Sequence, residues 1–169
     1  MSNVRAILDE ALDGARAPAI LCCGSQIRGD DAAGMSIAEG LSGHNGQVKV
    51  FSGSNAPENL TGEIKKSRPD TLLVFDAAEM GLLPGETAIV TPDRIDGVSF
   101  STHILPLKIM LDYLRSEIGC RIVLIGIQGA SYEFGADLTP EVKNAVDIIV
   151  DAILDAYKTG SAAFPPELE

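Results

Sequence analysis

Thr71-Leu-Leu-Val-Phe-Asp76 decides the fold: five β-branched, aliphatic and aromatic residues follow the Pro69-Asp70 turn and run without a break into a carboxylate. An apolar run this short, without polar alternation, reads as a strand buried on both faces. Ala19-Ile-Leu-Cys-Cys23, stopped by Gly24, and Arg121–Ile127 read the same way. Gln47–Ser52 alternates like a strand, and Glu86–Thr91 is one more, set up by Pro84-Gly85. Helical spacing fills the intervals: 3–15, 32–42, 57–67, 106–118, and a last stripe from Thr139-Pro140 to about Tyr157, with Thr139 as cap. Strands separated by helices predict an α/β fold, a three-layer α-β-α sandwich around a mostly parallel sheet of about five strands. The expected units are a helical extension at 1–17, a single domain at 18–159 and a loose tail at 160–169.

Composition narrows the function. The chain has 169 residues with 13 basic and 24 acidic side chains, a formal charge of −11. No Lys/Arg cluster offsets that repulsion, so nucleic acid and anionic membranes are poor partners. No apolar run reaches the roughly 20 residues of a membrane-spanning helix, and acidic residues stand where a secretory signal would be apolar. Cys22, Cys23 and Cys120 are odd in number and set in apolar runs, which suits core positions in a reducing cytoplasm, with a metal or redox role for the adjacent pair as the lesser alternative. The expected location is cytoplasmic and the expected state a monomer.

Ligands of open α/β sheets collect beyond the carboxyl ends of the strands, which directs attention to the loops after 19–23, 71–75 and 86–91. The first, Gly24-Ser-Gln-Ile-Arg-Gly-Asp-Asp-Ala-Ala-Gly34, is glycine-rich without the spacing of a dinucleotide fingerprint or a Gly-Lys-Ser/Thr. Its two carboxylates oppose a phosphate. One aspartate is enough to cap the next helix, a role given to Asp30, which leaves Asp31 for function. Asp76 closes a buried strand and is either a turn-former or a paired or metal-bound group, with Glu79 following in the same loop. His103 lies in Ser99-Phe-Ser-Thr-His-Ile-Leu-Pro-Leu107, whereas His44 sits in a polar connection and reads as exposed. Asp31, Asp76 and His103 together offer two carboxylates and an imidazole, an open donor set for a transition metal, completed by whatever binds. A Ser or Cys nucleophile finds no base and no nucleophile elbow.

On these residues the sequence resembles the hydrogenase maturation endopeptidases, particularly the branch that processes energy-converting and formate-hydrogenlyase-type [NiFe] hydrogenases. The matching segments are 20–34, Gly53-Ser-Asn-Ala-Pro-Glu-Asn59, Leu73–Ala77 with Met80-Gly-Leu-Leu-Pro-Gly-Glu86, Ser101-Thr-His-Ile-Leu-Pro-Leu107 and Val123–Gln128. The resemblance implies that Asp31, Asp76 and His103 are the metal-binding and catalytic residues. It also implies removal of a C-terminal peptide from a [NiFe] hydrogenase large-subunit precursor after nickel insertion, the nickel being carried by the substrate. The family is classed with aspartic peptidases, yet this chain has no Asp-Thr-Gly pair, and the base is left open. The family's usual Gly-Asn is Gly24-Ser25 here, which keeps a non-cleaving, chaperone-like binder of the precursor as an alternative. A receiver domain of two-component signalling fits less well, because Gln128-Gly129 stands where it needs a lysine and His103 would have no role.

Overall fold

The computed structural model describes residues 2–44, 48–91, 99–100 and 104–159. In chain order the elements are α1 (Ser2–Leu12), β1 (Pro18–Cys23), α2 (Ala33–Leu41), β2 (Val50–Ser54), α3 (Thr61–Ser67), β3 (Thr71–Glu79), β4 (Thr87–Val90), β5 (Ser99–Phe100), α4 (Ile104–Ile118), β6 (Arg121–Gln128) and α5 (Pro140–Lys158). The main sheet runs β2-β1-β3-β6-β4, and the two-residue β5 is added to β3. The first four strands of that order are mutually parallel, and β4 is antiparallel to β6.

Alternation along the strands separates two cores. Ile20, Cys22, Leu73, Phe75, Val123 and Ile125 face α1, α2 and α5, whereas Ala19, Leu21, Leu72, Val74 and Leu124 face α3 and α4. Phe75 at the sheet centre is wholly buried. The three expected layers are present. The N-terminal segment is part of the first core: Ile7, Leu8, Ala11 and Leu12 bury their stripe with the apolar face of α5. Arg121, at the start of β6, caps α1 by donating to the carbonyls of Asp13 at 2.8 Å, Glu10 at 2.8 Å and Ala11 at 2.9 Å. Asn3 at its other end donates to the Thr87 carbonyl on edge strand β4 at 3.2 Å, so α1 also shields that edge.

The cysteines are all free and buried, as their apolar settings predict. Burial pushes every thiol up, Cys120 to about 11, which holds them protonated and inert. Other expectations change. The helix expected over 57–67 divides into a 3-10 turn, Pro57–Leu60, and α3. His44 is half-buried rather than exposed. Thr139 does occupy the cap position of α5, but its side chain makes no capping bond. The expected tail at 160–169 lies outside the described residues.

Candidate active site

Because β1, β2, β3 and β6 are parallel, the loops 24–32, 55–60, 80–86 and 129–139 all leave one edge of the sheet. The loop after β4 does not start there. Val90 pairs with Leu124 and Thr87 with Ile127, so β4 ends at the opposite edge, which corrects the expectation for a site loop directly after 86–91. The chain is again described at β5, where Phe100 pairs with Ala78 and Ser99 with Glu79. From there α4 leads back to the start of β6.

Asp76 is not in a loop. It sits inside β3, paired with Gly126, and the strand continues through Ala77, Ala78 and Glu79. Two small apolar residues after the carboxylate prolong the ladder, which rules out the turn-former reading. Asp76 is completely buried. By alternation it shares the face of Val74 and Ala78, toward α3 and α4. Its charge helps to push up the buried Cys23 thiol on the neighbouring strand, after the larger effect of desolvation.

Asp31 lies in a 3-10 turn, Gly29–Ala32, that stands between β1 and α2. It is 2% exposed, and its Oδ1 is buried with no hydrogen-bond partner among the described residues. Two glycines bring that turn onto the strand ends. Gly24 has φ +127°, and a Cβ there would overlap the Asp31 carbonyl and lie 3.6 Å from Oδ1. A Cβ on Gly34 would overlap the Cys23 carbonyl and stand 2.8 Å from that of Phe75, the residue before Asp76. The turn is thereby pressed against the ends of β1 and β3. Replacing Gly34 by alanine is expected to destabilise the protein by about 1–3 kcal/mol, as overpacking against fixed backbone does. Thermal unfolding reads this, and an unchanged Tm would mean that α2 is free to shift.

Asp30 has a different role from the one expected. Neither the turn nor α2 receives a side-chain cap from it. Its wholly buried carboxylate reaches the loop after β6 instead. Oδ2 accepts the N–H groups of Ala130 at 2.7 Å and Ser131 at 3.0 Å, and Oδ1 accepts the Thr139 N–H at 2.7 Å. The Thr139 hydroxyl donates to the same carboxylate at 3.0 Å. Its partners lie a hundred residues away, where local spacing carries no signal.

Gln128 also escaped the sequence reading as a positioning residue. Its Oε1 accepts the Met80 N–H at 2.7 Å and the Leu82 N–H at 3.3 Å, while its Nε2 donates to Glu79 at 3.0 Å and to the Gly129 carbonyl at 2.9 Å. A polar residue closing an apolar strand was the available hint. Glu79 itself is exposed. Gln128, which stands where a receiver domain needs a lysine, is thus engaged within the fold. Ser25 is buried, and its carbonyl accepts the Arg28 N–H at 3.4 Å, closing the turn ahead of the aspartates.

The structure therefore places Asp31 and Asp76 at one edge, on adjoining elements. His103 lies outside the described residues. Among the described residues no three His, Cys, Asp or Glu side chains form a group that could hold a metal ion. Two buried carboxylates, one with an orphaned oxygen, can take up an electropositive atom or orient a water.

Comparison with known proteins gives one consistent result. Residues 35–156 match the family model described as hydrogenase maturation protease. The hydrogenase 3 maturation protease of Escherichia coli K12 is 38% identical over 132 residues, covering 77% of this chain and 84% of the relative. The crystal structure of a [NiFe] hydrogenase maturation protease from Thermococcus kodakarensis is similar with a TM-score of 0.77 at 30% identity, over 90% of this chain and 99% of that one. The solution structure of the endopeptidase HycI from Escherichia coli gives 0.73 at 34% identity, with the same coverage of 90% and 99%.

Proposed function

The chain belongs to the hydrogenase maturation protease family, and from that premise we propose that it removes the C-terminal extension of a [NiFe] hydrogenase large-subunit precursor after nickel insertion, acting as a cytoplasmic monomer. Nickel is part of the substrate in this reading. Asp31, Asp76 and His103 engage it and thereby set the scissile peptide bond at the sheet edge. Other divalent ions can occupy the same donors. A water, activated by a carboxylate or by the substrate's metal, adds to the carbonyl carbon; the C–N bond then breaks and the amine leaves with a proton.

The observation that carries this reading is Asp31, a buried carboxylate whose Oδ1 has no donor in the described fold. Burying such an oxygen is costly unless something completes it, and a metal brought by the substrate would do so only when the correct substrate is bound. Nickel recognition is then a checkpoint on the precursor. For His103 the support is its place in the chain: it follows by three residues Phe100, which pairs with Ala78 two positions beyond Asp76, and it immediately precedes α4.

The test is intact-mass spectrometry of the large-subunit precursor from the same genome, with and without nickel, after incubation with this protein. Loss of a short C-terminal peptide from the nickel-loaded form alone is expected. An unchanged mass in a precursor that binds the protein would replace the peptidase with a chaperone-like binder. Equal cutting of both forms would remove nickel from the recognition step.

A further inference from the structure

Six large apolar side chains are exposed among the described residues: Ile27, Leu82, Leu83, Ile109, Tyr113 and Phe134. Four of them, Ile27, Leu82, Leu83 and Phe134, belong to loops that leave the same sheet edge as Asp31 and Asp76. Apolar residues scattered singly over a surface need no explanation, but a concentration around a site does. Phe134 and Leu83 are the most exposed, at 80% and 71%, and Ile27 follows at 57%.

Their loops are fastened together. Gly135 N–H donates to the Ile27 carbonyl at 2.8 Å, Gly29 N–H to Ala136 at 3.2 Å and Asp30 N–H to Ser131 at 2.8 Å. The Asp30 carboxylate holds the opposite loop from within, through Ala130, Ser131 and Thr139. An isoleucine and a phenylalanine are therefore presented to solvent on a stitched double loop, only a few residues before Asp31. Anchors held in place before binding lose little entropy when a partner covers them. The charge beside Phe134 is acidic, while Ile27 has the exposed Arg28 as its neighbour. Phe134 is flanked by exposed Glu133 and, three residues on, by exposed Asp137, in a chain of net charge −11. Such a patch suits an apolar segment that carries basic side chains.

We infer that the Ile27–Phe134 rim is the docking anchor for the precursor's own C-terminal segment, an extended stretch pairing an apolar residue with a basic one. This rests on the function proposed above. A segment that must reach Asp31 passes this rim, so binding there sets affinity while the aspartates perform the chemistry.

The experiment measures KM and kcat for cleavage of the nickel-loaded precursor from the same genome, and calorimetric affinity for it, with Phe134→Ala, Phe134→Asp, Phe134→Leu and Glu133→Lys. Phe134→Ala is expected to raise KM and Kd about tenfold with kcat within twofold, and Phe134→Asp to raise them further. Phe134→Leu should recover most of the loss, and Glu133→Lys should weaken binding most at low salt. An unchanged Tm is expected for all four, since these side chains project into solvent. If KM and Kd stay within twofold in both Phe134→Ala and Phe134→Asp, the rim is not the anchor; a fall in kcat at constant KM overturns the inference equally. Should wild-type protein bind the precursor without cutting it, the peptidase reading fails by itself, and the Kd series still decides the anchor.

Discussion

Asp31→Asn is expected to abolish precursor cleavage, by roughly a thousandfold or more in kcat/KM, while the fold is retained or slightly stabilised. The two halves of this expectation come from one observation. The carboxylate is 2% exposed, and its Oδ1 has no hydrogen-bond donor among the described residues. An oxygen buried without a donor among the described residues carries a desolvation cost that a bound substrate group can relieve. Asparagine nearly preserves the shape and removes the charge, so thermal unfolding should show an equal or higher Tm. The reaction loses the anionic oxygen that would meet the substrate's metal or take the proton of the attacking water. Stability kept while activity disappears is the mark of a group held for its chemistry. Cleavage within tenfold of wild type would remove Asp31 from the mechanism. A Tm several degrees lower, with activity lost in proportion to folded protein, would make it a structural residue.

Much of this architecture was legible because its strands announce themselves. The runs at 19–23, 71–75 and 121–127 became β1, β3 and β6, the central strands of the sheet. Two misreadings have physical causes. Asp76 reads as the end of its strand because a carboxylate is a turn-forming residue, yet Ala77 and Ala78 keep the β3–β6 ladder intact as far as Gln128. The direction of β4 was set by a length that could have been measured: Met80–Glu86 is shorter than the dozen or so residues that a parallel crossover requires, so the strand had to return antiparallel. The predicted topology already brings Asp31 and Asp76 to one sheet edge, and the placement of the turn by Gly24 and Gly34 supplies the steric reason. The assignment of Asp30 had no such signal, because its donors are at Ala130, Ser131 and Thr139.

Adjacent aspartates with opposite duties make the second large expectation, that Asp30→Ala destabilises the protein by about 3–5 kcal/mol. Asp30 is wholly buried, and each of its carboxylate oxygens accepts at least one backbone N–H. Truncation takes the acceptor from the N–H groups of Ala130, Ser131 and Thr139 and leaves a cavity where the wholly buried carboxylate stood. Each orphaned donor costs on the order of 1–3 kcal/mol, partly relieved as the loop relaxes. For a chain of this size the Tm should fall by roughly 6–20 °C. Asp30→Asn keeps one acceptor oxygen and should lose less. The same variants separate the two aspartates by kinetics. Loss of the Asp30 clamp frees the loop after β6 and loosens the turn that carries Asp31, so cleavage falls with stability and recovers in part on cooling. An Asp31 variant does not recover at any temperature. If Asp30→Ala unfolds at the wild-type temperature, its bonds to the distant loop do not hold the turn, and the division of labour between Asp30 and Asp31 fails with them.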